Sequence, residues 1–490
     1  MTTSTRKGEN CASQCCSDEK PGNPLPGQRI VLISPYDLGR QPFALAEPAA
    51  LFEQAGYAVQ CLDLSQQKLS AEALGEARVV FIFLSMLTAT RIAVEALPKI
   101  RALAPQARIA VYGWYAPVNE KYLRELGVDA VFGGESEADM IAYTDSIDEQ
   151  DDHPAREQKV VSLRRIEFAV PDRHELPGLD KYAQLVFPDG SQRIMGFTET
   201  TRGCKHTCRH CPVVPVYNGR FIAIPKDVVL DDIRQQVAMG AQHISFGDPD
   251  FLNGPGHARR IIEQMHREFP ELTYDAVIKI EHLIKFQEML PMLRNTGCIL
   301  VTTAVESVDD NVLEHLDKGH TASDFDDVVA LMHDHGIALA PTFIPFTPWT
   351  SVGSYVDLLD KLAELKLIMS VNPVQLSLRL LIPAGSRLLE LPEAETGITG
   401  FEPASLGYQW NHENPEVDKL QERIRLWTEQ AEGDGMSRLD IFNGIRKLAL
   451  EAAGREVDTI SESQVGSAVP AHSESWYCCA EPTEQQLASF

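Results

Sequence analysis

Residues 198–217 read TETTRGCKHTCRHCPVVPVY, and the fold and chemistry of the whole chain are read outward from them. Cys204, Cys208 and Cys211 follow Gly203 in a C-x3-C-x2-C spacing, with Pro212 directly after the last. Three thiolates so spaced can hold three irons of a cubane cluster while the fourth iron has no protein ligand. Iron–sulfur spacings in which the protein supplies every ligand need a fourth nearby cysteine, and none stands between Pro212 and Gly297. An iron left open in this way can bind a small molecule. Zinc is the competing occupant: it wants four ligands, and His206 or His210 could supply the last one.

The spacing resembles that of the radical S-adenosylmethionine (SAM) superfamily. The resemblance implies a [4Fe–4S] cluster held by Cys204, Cys208 and Cys211, with SAM chelated to the fourth iron through its amino and carboxylate groups. It also implies cleavage of a SAM carbon–sulfur bond by one electron, delivered by a reductant such as flavodoxin or ferredoxin. The position before the last cysteine is usually aromatic there, near the adenine; here it is His210, whose imidazole can stack in the same way.

The 490 residues suggest two or three domains, and an apolar fraction of 44% allows sizeable cores. No apolar run approaches the roughly 18 residues of a membrane span, and the N-terminus lacks the apolar segment of a secretory signal, so the expected location is the cytoplasm. A formal charge of −26 speaks against an electrostatic nucleic-acid binder and for a small-molecule substrate. Ten cysteines in such a chain point to metal or redox chemistry rather than a disulfide framework. Cys61 and Cys298 lie inside apolar runs and read as core residues.

Residues 1–27 are polar, without periodicity, and read as a disordered leader. From residue 28 to 147, short apolar runs at 29–34, 57–64, 77–85, 107–113 and 128–134 alternate with helical patterns, which predicts βαβ units and an open parallel sheet. Ligands of such sheets lie at the carboxyl ends of the strands, here residues 34–39, 85–88, 112–116 and 133–137. The order of pieces resembles the Rossmann-like cobalamin-binding-type domain that precedes many radical SAM domains. The D-x-H-x-x-G signature is absent, as is any histidine between residues 29 and 152. Any cobalamin would therefore lack a histidine ligand from this domain.

Residues 148–194 read as a linker and bridge, and 195–395 as the radical SAM core. Strands beginning near residues 195, 243, 273, 298, 337 and 374 predict a partial (β/α)6 barrel, with chemistry at the carboxyl ends of the strands. The fold class is thus α/β, with a helical region at 396–455 and a flexible tail at 456–490. By position in similar enzymes, Glu306 and Ser307 would bind SAM. Asp248 and Asp250 would lie where the methionyl amino group is contacted, and Arg379 would stand on the sixth strand, ahead of the adenine-side turn 383–386. Lys318 fits the same pattern and reads equally as a helix cap.

Cys478 and Cys479 are adjacent, after Trp476-Tyr477 and before Ala-Glu-Pro. Paired soft thiolates suit Cu(I), Zn or trivalent arsenic. The ending resembles a group of radical SAM proteins that terminate in Cys-Cys-Ala-Glu-Pro, which includes the enzyme of arsinothricin biosynthesis. That resemblance implies transfer of the 3-amino-3-carboxypropyl group of SAM to arsenite, with Cys478 and Cys479 as catalytic ligands to arsenic and hydroxyarsinothricin as product. Cys11, Cys15 or Cys16 of the leader, or a retained hydroxide, would supply a third ligand. Three other readings compete: a cobalamin-dependent radical methyltransferase, a radical enzyme that builds bonds within a peptide, and a corrinoid or metalloid sensor or carrier without catalysis.

Overall fold

The computed structural model describes residues 29–147, 159–392, 397–474 and 483–487. The first domain holds β1 (Arg29–Ser34), β2 (Ala58–Asp63), β3 (Ala77–Phe83), β4 (Arg108–Tyr112) and β5 (Ala130–Val131). They form one parallel sheet in the order β2-β1-β3-β4-β5. Both faces are covered, which is why these strands read as unbroken apolar runs rather than alternating ones. Val31, Ile33, Val80 and Ile82 face one core with Ile92 and Ala96 of helix Leu87–Leu103. Ile30, Leu32, Val79 and Phe81 face the other with Leu45 and Phe52 of helix Phe43–Gln54. β2 lies on one side of β1, and the chain then crosses to β3 on the other, so the switch point of this order lies at the carboxyl ends of β1 and β3.

The second domain is built on a curled seven-stranded sheet. Five strands are parallel and adjacent: Gln192–Thr198, His243–Phe246, Thr273–Val277, Cys298–Glu306 and Ala338–Phe343. Helices including Lys226–Ala238, Pro255–Glu268, Ala322–Asp334 and Val352–Glu364 bury their apolar stripes on its outer face in one large core. The helix starts are set locally: Thr321 with Asp324, and Ser351 with Ser354, each make a capping box. The sixth strand position carries only one parallel bridge, Phe346 to Arg379. The reason is local: residues Pro373–Ser377 wind into a 3-10 turn, and the Gln375 side chain accepts the Phe343 amide at 3.1 Å. A side chain thus takes an amide of the fifth strand that a sixth could have paired.

The sheet is extended at its other edge by Gln184–Val186, antiparallel to the first barrel strand, and then by Ala471–His472. This last pairing brings the chain back to the barrel after helices Pro415–Gly433 and Arg438–Ala452. Cys11, Cys15, Cys16, Cys478 and Cys479 lie outside the described residues.

The bridge between the domains is tied by Arg173, which is buried. Its guanidinium donates to both carboxylate oxygens of Asp232 at 2.7 and 2.9 Å, to the Phe197 carbonyl at 2.7 Å and to Gln41 Oε1 at 2.7 Å. Among the described residues, no helix is long and apolar enough to cross a membrane.

Candidate active site at the carboxyl ends of the barrel strands

Two constraints shape the cysteine loop. Thr201–Gly203 pairs with Phe221–Ala223 in a short antiparallel ladder, closing the loop at its base. Gly203 has a φ of 75°, and a Cβ there would stand 2.4 Å from the Tyr217 ring, so only glycine fits. Cys204 and Cys208 are buried and Cys211 half-buried, all as free thiols. Burial pushes the Cys204 thiol up to about 11 and the Cys211 thiol up to about 12. Thiolates here therefore need positive partners. Lys279 Nζ donates to Cys208 Sγ at 3.6 Å, and Lys318 bears electrostatically on both Cys208 and Cys211. Three converging thiols beside two lysines fit a cubane cluster with an open iron.

The rest of the loop is fastened to its surroundings by backbone groups. Asn253 accepts the Lys205 amide and donates to the Gly203 carbonyl, both at 3.2 Å. The Arg209 amide bonds the Leu316 carbonyl at 2.9 Å, Ser386 Oγ bonds the Arg209 carbonyl at 2.8 Å, and Arg387 reaches the Thr207 carbonyl at 3.1 Å.

Glu306 ends the fourth barrel strand with a φ of 68°, a conformation few residues other than glycine adopt and one that collects at functional sites. Its carboxylate accepts from Lys318 Nζ at 3.2 Å and lies 3.2 Å from His210 Nε2. Burial works against its charge, but Lys318 and His210 outweigh burial and hold the carboxyl down at about 2. His320 stands two residues beyond Lys318. It is buried, and burial with the two lysines pushes it down to about 4. A carboxylate, two ammonium groups and a neutral imidazole fit the charged methionyl end and the hydroxyls of SAM.

The structure distributes the other sequence-derived candidates differently. The Asp248 carboxylate accepts the Thr200 amide at 2.9 Å and the hydroxyls of Thr200 and Thr201 at 2.6 Å, so it braces the turn into the cysteine loop. Asp250 accepts the Leu252 amide at 3.1 Å, while its Oδ2 lies among His206 and His282. Ser307 Oγ accepts the Asp309 amide at 3.0 Å. Arg379 pairs with Asp418 at 2.5 Å and stacks 3.5 Å from the Trp410 ring, which commits its guanidinium to the C-terminal region. Lys279, His282 and His320 escape the sequence reading. Lys279 and His282 follow the third strand, whose end carries no recognisable motif, and His320 lies in a turn whose sequence singles out only Lys318.

The first domain meets this loop through a charged interface. The Arg202 guanidinium lies 2.6 Å from Glu137, 3.2 Å from Glu47, 3.4 Å from Glu135 and 3.7 Å from Glu199. Tyr217 adds a hydrogen bond to Glu135 at 2.9 Å. One guanidinium cannot balance four carboxylates, and burial raises Glu47 and Glu135 above the usual range and Glu199 to about 8. Trp114, just past β4, packs against the apolar cluster of Cys204, Val213, Val216 and Tyr217. At the switch point between β1 and β3, the buried hydroxyls of Ser34 and Ser85 have no hydrogen-bond partner. Those two hydroxyls fit a ligand at that edge, and the absence of histidine from residues 29–152 means that a corrin there would take no imidazole from this domain.

Residues 198–369 match the family model of the radical SAM superfamily. Over 172 residues, 34% of the chain, it is 28% identical to the bacteriochlorophyllide d C-12(1)-methyltransferase of Chlorobaculum tepidum, covering 35% of that protein. The chain spans between 35% and 62% of the length of the curated relatives it matches. Among solved structures, TsrM from Kitasatospora setae with tryptophan and a SAM analogue aligns with a TM-score of 0.57 at 17% identity, covering 75% of this chain and 76% of that one. OxsB with aqua-cobalamin and SAM aligns with a TM-score of 0.63 at 14% identity, covering 83% and 67%. At these identities the structural matches speak for the fold.

Proposed function

Given a radical SAM domain, whose cofactors are a [4Fe–4S] cluster and SAM, we propose that this enzyme transfers the 3-amino-3-carboxypropyl group of SAM to arsenite to form hydroxyarsinothricin. The observation that carries the reading is the Cys478-Cys479 pair, taken with the anchoring of the described residues that flank it. On one side Ala471–His472 joins the barrel sheet, and the Ser473 amide bonds the Gln184 carbonyl at 2.8 Å. On the other, Leu487 packs against the core of the first domain, on the helix Leu87–Leu103 side. That the stretches on either side of the pair are anchored, one on the barrel sheet and one on the first domain, supports a role in holding substrate over an idle tail.

The chemistry balances. Arsenite provides the lone pair that forms the new carbon–arsenic bond, the bond from sulfur to the aminocarboxypropyl carbon breaks, and methylthioadenosine leaves. Arsenic rises from the trivalent to the pentavalent state as the sulfonium is reduced to a thioether, one proton is released from an arsenic-bound hydroxyl, and two waters displace the two cysteines from the product as thiols. The cluster, when bound, would lend the electron that opens SAM and recover it as arsenic reaches the pentavalent state, so an external reductant such as flavodoxin or ferredoxin serves to bring the cluster to its reduced state rather than to supply an electron to each product. The chain's own groups orient the reactants. Cys204, Cys208 and Cys211 hold the cluster. Glu306, Lys318, Lys279 and His320 receive the charged end and hydroxyls of SAM, and Ser307 fixes the turn after Glu306. Cys478 and Cys479 hold arsenic.

A second reading is a cobalamin-dependent methyltransferase. It is favoured by the unpartnered Ser34 and Ser85 hydroxyls at the switch point, where ligands of this sheet order lie, and by the methyltransferase relatives. The SAM-derived product separates the two after anaerobic cluster reconstitution. Methylthioadenosine that depends on arsenite, and is lost in Cys478→Ala and Cys479→Ala, supports the transfer to arsenic. S-adenosylhomocysteine that requires added cobalamin overturns it in favour of methyl transfer.

A further inference from the structure

His206 lies within the cysteine loop, Asp250 in the turn after the second barrel strand, and His282 on the short helix Ile280–Lys285 after the third. With one donor atom taken from each, the three lie within 4.8 Å of one another. His206 Nε2 is 3.4 Å from Asp250 Oδ2 and 3.3 Å from His282 Nε2, and His282 Nδ1 is 2.6 Å from Asp250 Oδ2. The side chains of Asp250 and His282 are fully buried. Asp250 Oδ2 and His282 Nδ1 thus face only each other and His206 in this buried cluster. Two imidazoles converging on one buried carboxylate oxygen form a donor set of the kind that holds a metal ion.

A divalent cation is the natural occupant of such a cluster. Donors bound at about 2.0–2.2 Å in tetrahedral or octahedral geometry stand about 2.8–3.6 Å apart, the spacing His206 Nε2 already keeps from Asp250 Oδ2 and His282 Nε2. The outer partner is also in place: the other nitrogen of His206 faces Glu281 Oε2 at 3.4 Å, and a ligating histidine characteristically directs its second nitrogen to such a carboxylate. Glu281 is itself 3.7 Å from Lys279 Nζ. Two imidazoles and one carboxylate select Zn(II), Fe(II) or Mn(II) rather than the thiophilic ions that suit cysteine.

We propose that His206, Asp250 and His282 bind one divalent transition-metal ion, separate from the cluster, that pins the cysteine loop to the turns after the second and third barrel strands. The site uses none of the cysteines and is independent of which group SAM donates.

Manganese(II) is the probe of choice, because it prefers nitrogen and oxygen over thiolate and its free aquo ion gives a six-line EPR signal. The oxidised [4Fe–4S] cluster is EPR-silent. Titration of the reconstituted enzyme should remove the free signal to a stoichiometry of one per chain. His206→Ala and His282→Ala should weaken this uptake at least tenfold while iron content stays at the wild-type level, and Glu281→Ala should weaken it to a smaller degree. If His282→Ala fails to fold, His206→Ala, in the loop, carries the test. Uptake that is unchanged in His206→Ala, or no uptake by the wild-type enzyme, overturns the proposal.

Discussion

Lys318 donates a hydrogen bond to Glu306 at 3.2 Å, and both side chains are shut away from solvent at the mouth of the barrel. An ion pair so buried is stable only while both members remain, because removing one leaves the other charge without compensation at a cost of about 3–5 kcal/mol. The pair also sits on a strained backbone, at the φ of 68° adopted by Glu306. Both features commit the strand end to one arrangement before any ligand arrives.

Glu306→Gln should therefore lower the thermal midpoint and reduce SAM cleavage at least tenfold. The double variant Glu306→Gln with Lys318→Met should regain most of the lost stability and none of the activity. Calorimetry and quantification of the SAM-derived product read the two effects separately. A double variant as unstable as the single one would mean that the pair is not what stabilises the mouth.

The pair has an acid limit whose direction follows from its titration. The Glu306 carboxyl is held at about 2 against an ordinary 4.5. Its contribution to stability is complete above about 4.5 and is lost as pH falls through about 2. Urea midpoints of wild type and Glu306→Gln should converge across that window and remain parallel above it.

The interface around Arg202 behaves in the opposite sense. Glu199 is raised from 4.5 to about 8, first by burial, so its contribution is complete below about 4.5 and is lost as pH rises through about 8. Between those limits the wild-type enzyme should lose stability with rising pH, and Glu199→Gln should flatten the slope. Thermal midpoints across neutral pH measure it; equal slopes in the two proteins would refute the assignment.

Arg202→Met removes the one cation from among Glu47, Glu135, Glu137 and Glu199. The expected loss is about 3–5 kcal/mol, with partial separation of the domains. Limited proteolysis should then release the first domain at protease levels that leave the wild type intact.

His472→Ala tests the tail. His472 Nε2 is 3.5 Å from Asp275 Oδ1 in the barrel interior, where Asp275 also meets His243 at 2.9 Å. Freeing this anchor should lower arsenite-dependent product formation severalfold and leave arsenite-independent SAM cleavage near its wild-type rate. Equal losses in both would point to damage of the barrel itself.

Much of this was legible before the structure. The unbroken apolar runs of β1, β3 and β4 announce a sheet covered on both faces, and the cysteine spacing announces an open cluster. What the sequence hides is what depends on meeting across the fold. Asp248 reads as a ligand-facing carboxylate because its turn is in the right place; that its oxygens also accept from Thr200 and Thr201 is a pairing that spacing does not encode. Arg379 sits at the expected strand position, but Trp410 and Asp418, more than thirty residues later, claim its charge. Lys279, His282 and His320 belong to strand ends and turns without a signature, and only folding brings them to the cysteines. The sixth strand fails for a related reason: its apolar run is real, but the turn at Pro373–Ser377 uses a side chain where a ladder would use backbone.

Arg173 has a consequence for how such proteins can be taken apart. Its guanidinium satisfies Gln41 from the first domain and Asp232 and the Phe197 carbonyl from the second at the same time. A barrel excised after the bridge would keep a buried carboxylate and a carbonyl facing an empty socket, and a first domain grafted from a relative would have to bring its own key for that lock. The two halves must therefore be engineered as one piece.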